Sequence, residues 1–401
     1  MSGVIRELDR LFAERFGPRG ASHLVRAPGR VNLIGEHIDY NGLAVLPMAI
    51  GRHVRLLCRP RDDALVWIAN TRTEFPLREF RLTEEIPPYP NGDWGNYAKA
   101  AAQALVDRLG SLRGLDGVVD SDLPVAHGLS SSSALVVAVA LALLTVNGAT
   151  IDRVELMDLL ARGERYVGLR GGGMDQAICL GALEGHAARV EFEPARLTQV
   201  PVPQSWRFVV ASSLVPAEKS GQARAVYNRR TEECRAALEV VAAHFGVREV
   251  SYPGLLRAVH PNELTLRATE VLESPLEQRF RHVVTEAERV RLAEEALLAD
   301  DLERFGGLLD ESHESLRHDY DVSTPELDEL VEIARRAGAR GARLTGAGLG
   351  GCAIAVCEEG RVGSVMEALE REFYAGRELS GQLEDRLFVA TPAGGASVEA
   401  V

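Results

Sequence analysis

Apolar positions along the chain recur at two periods, and the switches between them mark its elements. Ile5, Leu8, Leu11 and Phe12 fall at helical spacing, so an amphipathic helix is predicted first, ended by Gly17, Pro18 and Gly20. Val31, Leu33 and Ile34 predict a short strand. Val45 to Ile50 and His53 to Cys58 predict two more, and Leu65 to Asn70 another. Past a loop marked by Pro87, Pro88 and Pro90, Trp94 to Tyr97 opens a helix that runs through Leu105. Its aromatic pair reads first as core and second as a wall for an adenine ring. Val118 to Asp122 is strand-like, and the apolar run Ala134 to Leu144 is a helix too short to span a bilayer. Asp152 and Glu155 have capping-box spacing before the next helix, with Ile151 and Leu156 as its staple. That helix carries Glu164. Glu191 to Val202 reads as a proline-punctuated connection, Phe208 to Ser212 as a strand and Val226 to Phe245 as a helix. Tyr252 to Glu314 is mostly helical, its charge runs being solvated faces. Thr324 as N-cap and Pro325 behind it start a helix that Gly338 ends. The strand Ala353 to Cys357 and an amphipathic helix through Val362, Val365, Met366, Leu369 and Phe373 follow.

At 401 residues, two domains sharing a cleft are expected, with the boundary near residue 200, so 1–200 and 201–401. A net charge of −13 disfavours nucleic-acid binding, which needs a basic surface. It leaves room for a small phosphate ligand, whose charge backbone amides and Mg2+ can neutralise. The cysteines Cys58, Cys179, Cys234, Cys352 and Cys357 form no CxxC pair and are odd in number, so reduced thiols in the cytoplasm are expected. Met1 to Phe16 has no apolar signal segment, and no membrane association is expected.

Four stretches carry candidate chemistry. Gly128-Leu129-Ser130-Ser131-Ser132-Ser133 feeds a Gly-Ser loop straight into a helix. Unpaired N–H groups and the helix dipole make such a start an anion site, although a serine-capped core helix has the same pattern. Glu36-His37-Ile38-Asp39-Tyr40-Asn41, closed by Gly42, sets carboxylates, an imidazole and an amide where sugar hydroxyls could be read, or is a solvated turn. Gly171-Gly172-Gly173-Met174-Asp175-Gln176 permits close backbone approach and places an acid just after it, or is an ordinary turn before a helix. Leu344-Thr345-Gly346-Ala347-Gly348-Leu349-Gly350-Gly351 is a second glycine-rich loop. It lacks the Gly-Lys-Ser/Thr of a Walker A loop and precedes a strand, unlike the dinucleotide fingerprint. His313 and His318 are not at the spacing of a shared helical metal site and are read as non-ligands.

Together these stretches resemble the sugar kinases of the GHMP superfamily, in the galactokinase branch, over nearly the whole chain. Gly29 to Gly42 resembles the galactokinase signature, Gly128 to Ala134 the phosphate loop, and Leu344 to Gly351 the third family motif. The resemblance implies an α+β, two-domain fold: an S5-like βαβ unit first, a ferredoxin-like domain with helical insertions second, and the site in the cleft between them. It implies ATP and Mg2+, a small sugar as substrate, and a monomer or weak oligomer. Arg30 would sit at the transferring phosphoryl, and Asp175 would be the general base or an electrostatic guide, kept ionised by the arginine. Glu36, His37, Asp39, Gly173, Tyr227 and Asn228 would hold the sugar. Gly128, Leu129, Ser130, Ser131, Ser132 and Ser133, with Gly346 and Gly348, would hold the nucleotide. Ser132 and Glu164 would reach Mg2+. Ile38, Val45 to Ala49, Gly171 to Gln176 and Ser323 to Asp328 look closer to the N-acetylgalactosamine kinase side, and Val215 to Lys219 departs from the galactokinase pattern, which leaves galactose and its 2-acetamido derivative both open. A non-catalytic regulator that binds sugar and ATP, and a mevalonate-type kinase, are the other readings.

Overall fold

The computed structural model describes residues 3–168, 171–217, 222–379 and 381–401. Glu218 and Lys219, part of the departure noted after Val215, lie outside them. Helix α1 (Gly3–Phe16) forms as its periodicity predicts and lays Leu8 and Phe12 on one face of a sheet, against Leu24, Leu57 and Val118. That sheet holds β1 (His23–Ile34), β2 (Leu46–Pro60), β3 (Leu65–Asn70), β4 (Arg78–Arg81) and, after α2 (Gly95–Leu109), β5 (Leu115–Ser121). Helix α3 (Ser131–Val146) follows and packs on β1, β2 and α2. Ala134 and Val136 to Ala140 are all buried, so α3 has no solvent face and serves as the central rod of this half. Shortening its fully buried Leu143 to alanine would cost about 2–5 kcal/mol.

Next come α4 (Arg153–Gly163), α5 (Met174–Gly181), β6 (His186–Glu191) and β7 (Arg196–Pro201). The second half opens with β8 (Trp206–Ser212). It continues through α6 (Gln222–His244), α7 (Tyr252–Ala258), α8 (Pro261–Val271), α9 (Leu276–Leu298), α10 (Leu302–His318) and α11 (Pro325–Arg336). Then β9 (Gly341–Thr345), β10 (Cys352–Glu358), α12 (Val362–Leu369), β11 (Leu387–Ala390) and β12 (Ser397–Ala400) complete it.

The first sheet has the order β12-β1-β2-β5-β3-β4, and β3 and β5 run parallel. The second has the order β11-β8-β10-β9 and is antiparallel throughout. Numbered within its own half, that order is 4-1-3-2, the ferredoxin-like arrangement, with α6 to α11 inserted after its first strand. The last strand, β12, returns to pair with β1, so a division at residue 200 leaves one strand of the first sheet in the second half.

Several sequence expectations are revised. The short strand at Val31 is the end of a twelve-residue strand, because a register shift between Pro28 and Arg30 absorbs the proline. The two strands on either side of Gly51 are one continuous β2. Glu191 to Val202 is mostly the turn and second strand of the hairpin β6–β7, not a connection. Glu164 lies just past α4, as its C-cap, rather than within the helix.

Candidate functional site

Each loop that meets here is bent by a residue the fold needs at that point. Gly29 lies where an added Cβ would sit 2.8 Å from the Leu129 carbonyl, so β1 and the Gly-Ser loop touch backbone to backbone. The Arg30 N–H donates to that same carbonyl at 3.2 Å. A Cβ on Gly172 would meet the backbone of Asp39 at 2.3 Å, so only glycine lets the Gly-Gly-Gly turn approach the sugar loop. Gly173 has φ +102° and starts α5, which puts Asp175 in its first turn. The two glycine-rich loops also abut: a Cβ on Gly346 would lie 2.8 Å from the Gly128 carbonyl.

At this junction Arg30 and Asp175 form a buried ion pair, Nε donating to Oδ1 at 2.7 Å. The Nη1 group of Arg30 donates to the Gly128 carbonyl at 2.6 Å, so one guanidinium ties the acid to the phosphate loop. Burial alone would lower the Arg30 pKa, but Asp175 and Glu36 outweigh it and leave it raised. Ser133 Oγ lies 2.7 Å from Glu164 Oε1 and 3.3 Å from Asp175 Oδ2. The resemblance implies that Ser132 and Glu164 reach Mg2+. In the structure Glu164 accepts from the neighbouring hydroxyl of Ser133, and Ser130 ahead of both takes a left-handed conformation (φ 59°, ψ 35°). Ser131 and Ser132 stay half-buried at the helix start, while Ser133 is fully buried. The Ser130 side chain caps nothing, so the first amides of α3 lack a side-chain partner. Leu129 is buried beneath them.

The pocket is lined by Arg30, Glu36, His37, Asp39, Glu164 and Asp175, closed by Gly171 to Gly173, Tyr227, Gly346 and Ala347. Asp39 is half-buried there, and its Oδ2 accepts from the Gly172 N–H at 3.2 Å. Glu36 is buried, which pushes its pKa up despite Arg343 and Arg30; its Oε1 accepts from the Gly346 N–H at 2.6 Å. Tyr227 packs its ring 5.3 Å from that of Tyr40. Asn228 is not among the lining residues, and neither is Ile38, which is fully buried. Gly348 packs on the Val322 carbonyl rather than beside Gly128. Trp94 belongs to the core, its indole N–H bonded to the Pro76 carbonyl. His313 pairs with Asp328 and His318 with Glu314.

The Mg2+ expectation fits the donors present. The Glu164 carboxylate and the serine hydroxyls of the α3 start are hard oxygen ligands of the kind Mg2+ takes alongside phosphate oxygens and water. No group of three acidic, histidine or cysteine side chains among the described residues could hold a metal by itself.

Glu286, buried on α9, escaped the sequence reading. Its Oε1 accepts from the N–H groups of Gly35, at 2.8 Å, and Glu36, at 3.2 Å, and from Ser312 Oγ at 2.8 Å. Burial alone would raise its pKa; Arg289, Arg343 and His282 outweigh that and bring it to about 2. The sugar loop is thus anchored from beneath by one ionised carboxylate. A signal existed: Glu286 and Arg289 interrupt the stripe Phe280, Val283, Val290, Ala293 and Leu297, where a charged pair is out of place unless partnered.

Comparison with known proteins agrees with this geometry. The galactokinase galactose-binding signature matches residues 10–60, the GHMP kinase N-terminal domain residues 96–182 and the GHMP kinase C-terminal domain residues 293–376. A galactokinase of Roseiflexus sp. (strain RS-1) is 38% identical over 373 residues, 90% of each chain. One from Chloroflexus aggregans is 37% identical over 90% of this chain and 91% of its own. The structure of Lactococcus lactis galactokinase complexed with galactose superposes with a TM-score of 0.88 at 31% identity, covering 98% of this chain and 99% of that one. Methanococcus jannaschii mevalonate kinase, at 18% identity and a TM-score of 0.61, shares the fold. Two glycine loops meeting over a buried Arg–Asp pair, and these relatives at full length, place the chain in the galactokinase family of the GHMP kinases, with its two-domain α+β fold.

Proposed function

We propose that the protein is an ATP-dependent sugar 1-kinase that phosphorylates the anomeric hydroxyl of galactose. The observation that carries this is the buried Arg30–Asp175 pair in a pocket lined by the sugar loop, the Gly171–Gly173 turn and the second glycine loop, with Arg30 also bonded to the Gly128 carbonyl of the loop before α3. Phosphoryl transfer asks for positioning and charge compensation more than for covalent chemistry. Asp175 accepts a hydrogen bond from the attacking hydroxyl and takes its proton or orients it. Arg30 holds the acid and adds positive charge where the transferred group passes. Asp39, Tyr227 and the backbone at Gly173 face the sugar, with Glu36 and His37 in the wall behind. The amides of Gly128 to Ser133 receive the phosphates, and Gly346 braces that loop. Asn228 follows Tyr227 on α6, and Gly348 packs on the Val322 carbonyl. Glu164 with Ser132 or Ser133 would hold Mg2+, which would supply the neutralisation of phosphate charge that a Walker lysine gives elsewhere. We read the protein as cytoplasmic; no helix among the described residues is long and apolar enough to cross a membrane.

A substrate panel tests the reading: galactose, N-acetylgalactosamine, galacturonate, arabinose and mevalonate, followed by ADP release with Mg2+. Galactose is expected to give the highest kcat/KM. Turnover of mevalonate but of no hexose would overturn it, and binding of sugar and ATP without ADP release would mark a regulator.

A further inference from the structure

His37 lies in the sugar pocket, yet both of its ring nitrogens are committed to the protein. Nε2 lies 3.1 Å from the Ala347 carbonyl, and Nδ1 lies 3.0 Å from the Tyr40 hydroxyl. The Tyr40 hydroxyl is 2.6 Å from that of Tyr320, which is 3.1 Å from Cys234 Sγ. With His37 kept neutral by burial, donor counting orients the contacts of this chain. A carbonyl can only accept, so Nε2 carries the hydrogen. A neutral imidazole has one N–H, so Nδ1 accepts and Tyr40 donates to it. Tyr40 has then spent its only proton and accepts from Tyr320. Tyr320 in turn accepts from the Cys234 thiol. Burial keeps each group in the required state: it lowers the His37 pKa to about 3, raises that of Cys234 to about 11, and raises those of both tyrosines.

We propose that these contacts form a one-way relay, from Cys234 through Tyr320 and Tyr40 to His37 and on to the Ala347 carbonyl, and that His37 is a positioning residue joining the sugar loop to the second glycine loop. Cys234 lies on α6, Tyr320 follows α10, Tyr40 and His37 belong to the sugar loop, and Ala347 lies between Gly346 and Gly348. The relay therefore sets the distance between the sugar-binding and nucleotide-side loops from inside the helical insertion. Sugar hydroxyls are left to Asp39, Tyr227, Asp175 and the Gly171–Gly173 backbone. This deepens the galactokinase reading and rests on it for the kinetic part of its test.

Long-range 1H–15N NMR of the full-length, ligand-free protein labelled at histidine reads the relay directly, with His37→Gln assigning the signal. The expected result is a neutral His37 with Nε2 protonated and Nδ1 bare. An Nδ1-protonated or charged ring overturns the proposal. In steady-state kinetics, Tyr320→Phe removes the donor to Tyr40 and is expected to raise the galactose KM about fivefold with kcat within about twofold of wild type. An unchanged KM also overturns the proposal. If Tyr320→Phe does not fold, Cys234→Ala is compared with Cys234→Ser: the hydroxyl restores the donor and should restore KM, and equal effects of the two contradict the relay. A wild-type protein that releases no ADP with galactose would refute the kinase reading, while the tautomer measurement still decides the relay.

Discussion

Helices α3 and α11 both start behind a hydroxyl side chain, and they use it in opposite ways. Thr324 takes an extended conformation (φ −129°, ψ 160°), and its hydroxyl accepts from the Leu327 N–H, so α11 is capped from within. Ser130 is left-handed, and its hydroxyl caps nothing. Helix α5 repeats the second pattern, starting on left-handed Gly173 without a side-chain cap, whereas α4 repeats the first through Asp152. Helices α3 and α5 meet at the Arg30–Asp175 pair, and α4 and α11 serve packing; α2, α9 and α12 also lack a side-chain cap but start behind right-handed residues. A helix start that the protein does not satisfy is one that a ligand can, and the strained residue that leaves it open belongs to the site.

The largest break in this contrast is expected at the start of α5. Asp175→Asn should lower kcat by about a hundredfold or more, while circular dichroism at 25 °C stays native. Melting will shift down, because Arg30 loses its counter-charge in a buried place. A kcat near wild type would remove Asp175 from the chemistry.

Acid comes next, because it acts on the sugar loop and leaves a hydroxyl cap untouched. Burial holds His37 at about 3 and His282 at about 4, both below the ordinary 6.5. Their neutral forms belong to the fold, and the unfolded chain takes up protons first. Stability is therefore complete above pH 6.5 and is lost as pH falls from there toward about 4 for His282 and about 3 for His37, by up to about 1.4 kcal/mol per pH unit for each ring. Glu286 works in a lower window: its contribution is present above about 4.5 and fades as pH falls toward about 2. Denaturant midpoints at pH 7, 6 and 5 check the first window, and His282→Gln should flatten the slope.

The same small deletion in the two helix starts gives the sharpest comparison. Ser132→Ala, at the open start of α3, is expected to raise the KM for MgATP about tenfold by removing one hydrogen bond to a charged ligand, with an unchanged melting temperature. Thr324→Ala should do the reverse, costing about 1 kcal/mol of stability at unchanged kcat and KM. If both act alike, on stability or on KM, the distinction between open and closed starts fails.

What was legible in the chain follows the range of the interaction behind it. Thr324-Pro325 and Asp152 with Glu155 are local devices, and the helices they start form where their sequence predicts. The glycines of the two loops marked backbone approach, although only the fold shows that Gly128 and Gly346 approach each other. Arg30 and Asp175 were named from resemblance; their pairing across 145 positions is a tertiary fact that no local pattern carries. That Ser133, and not one of the three serines before it, bonds Glu164 is likewise tertiary, and a run of identical side chains does not reveal it. Glu286 was hidden for another reason: on a helix rich in glutamate and arginine, an ionised acid facing inward has the same letter as those facing water.

On the proposed mechanism, the Arg30–Asp175 junction transfers phosphate from ATP to the anomeric oxygen of galactose. Phosphorus NMR of a reaction with galactose, ATP and Mg2+, run in parallel with wild type and Asp175→Asn, tests it most directly. Wild type should produce ADP and a sugar phosphate esterified at C1, and the variant should produce neither on the same timescale. A phosphate ester at another carbon, or equal product from both proteins, would contradict it.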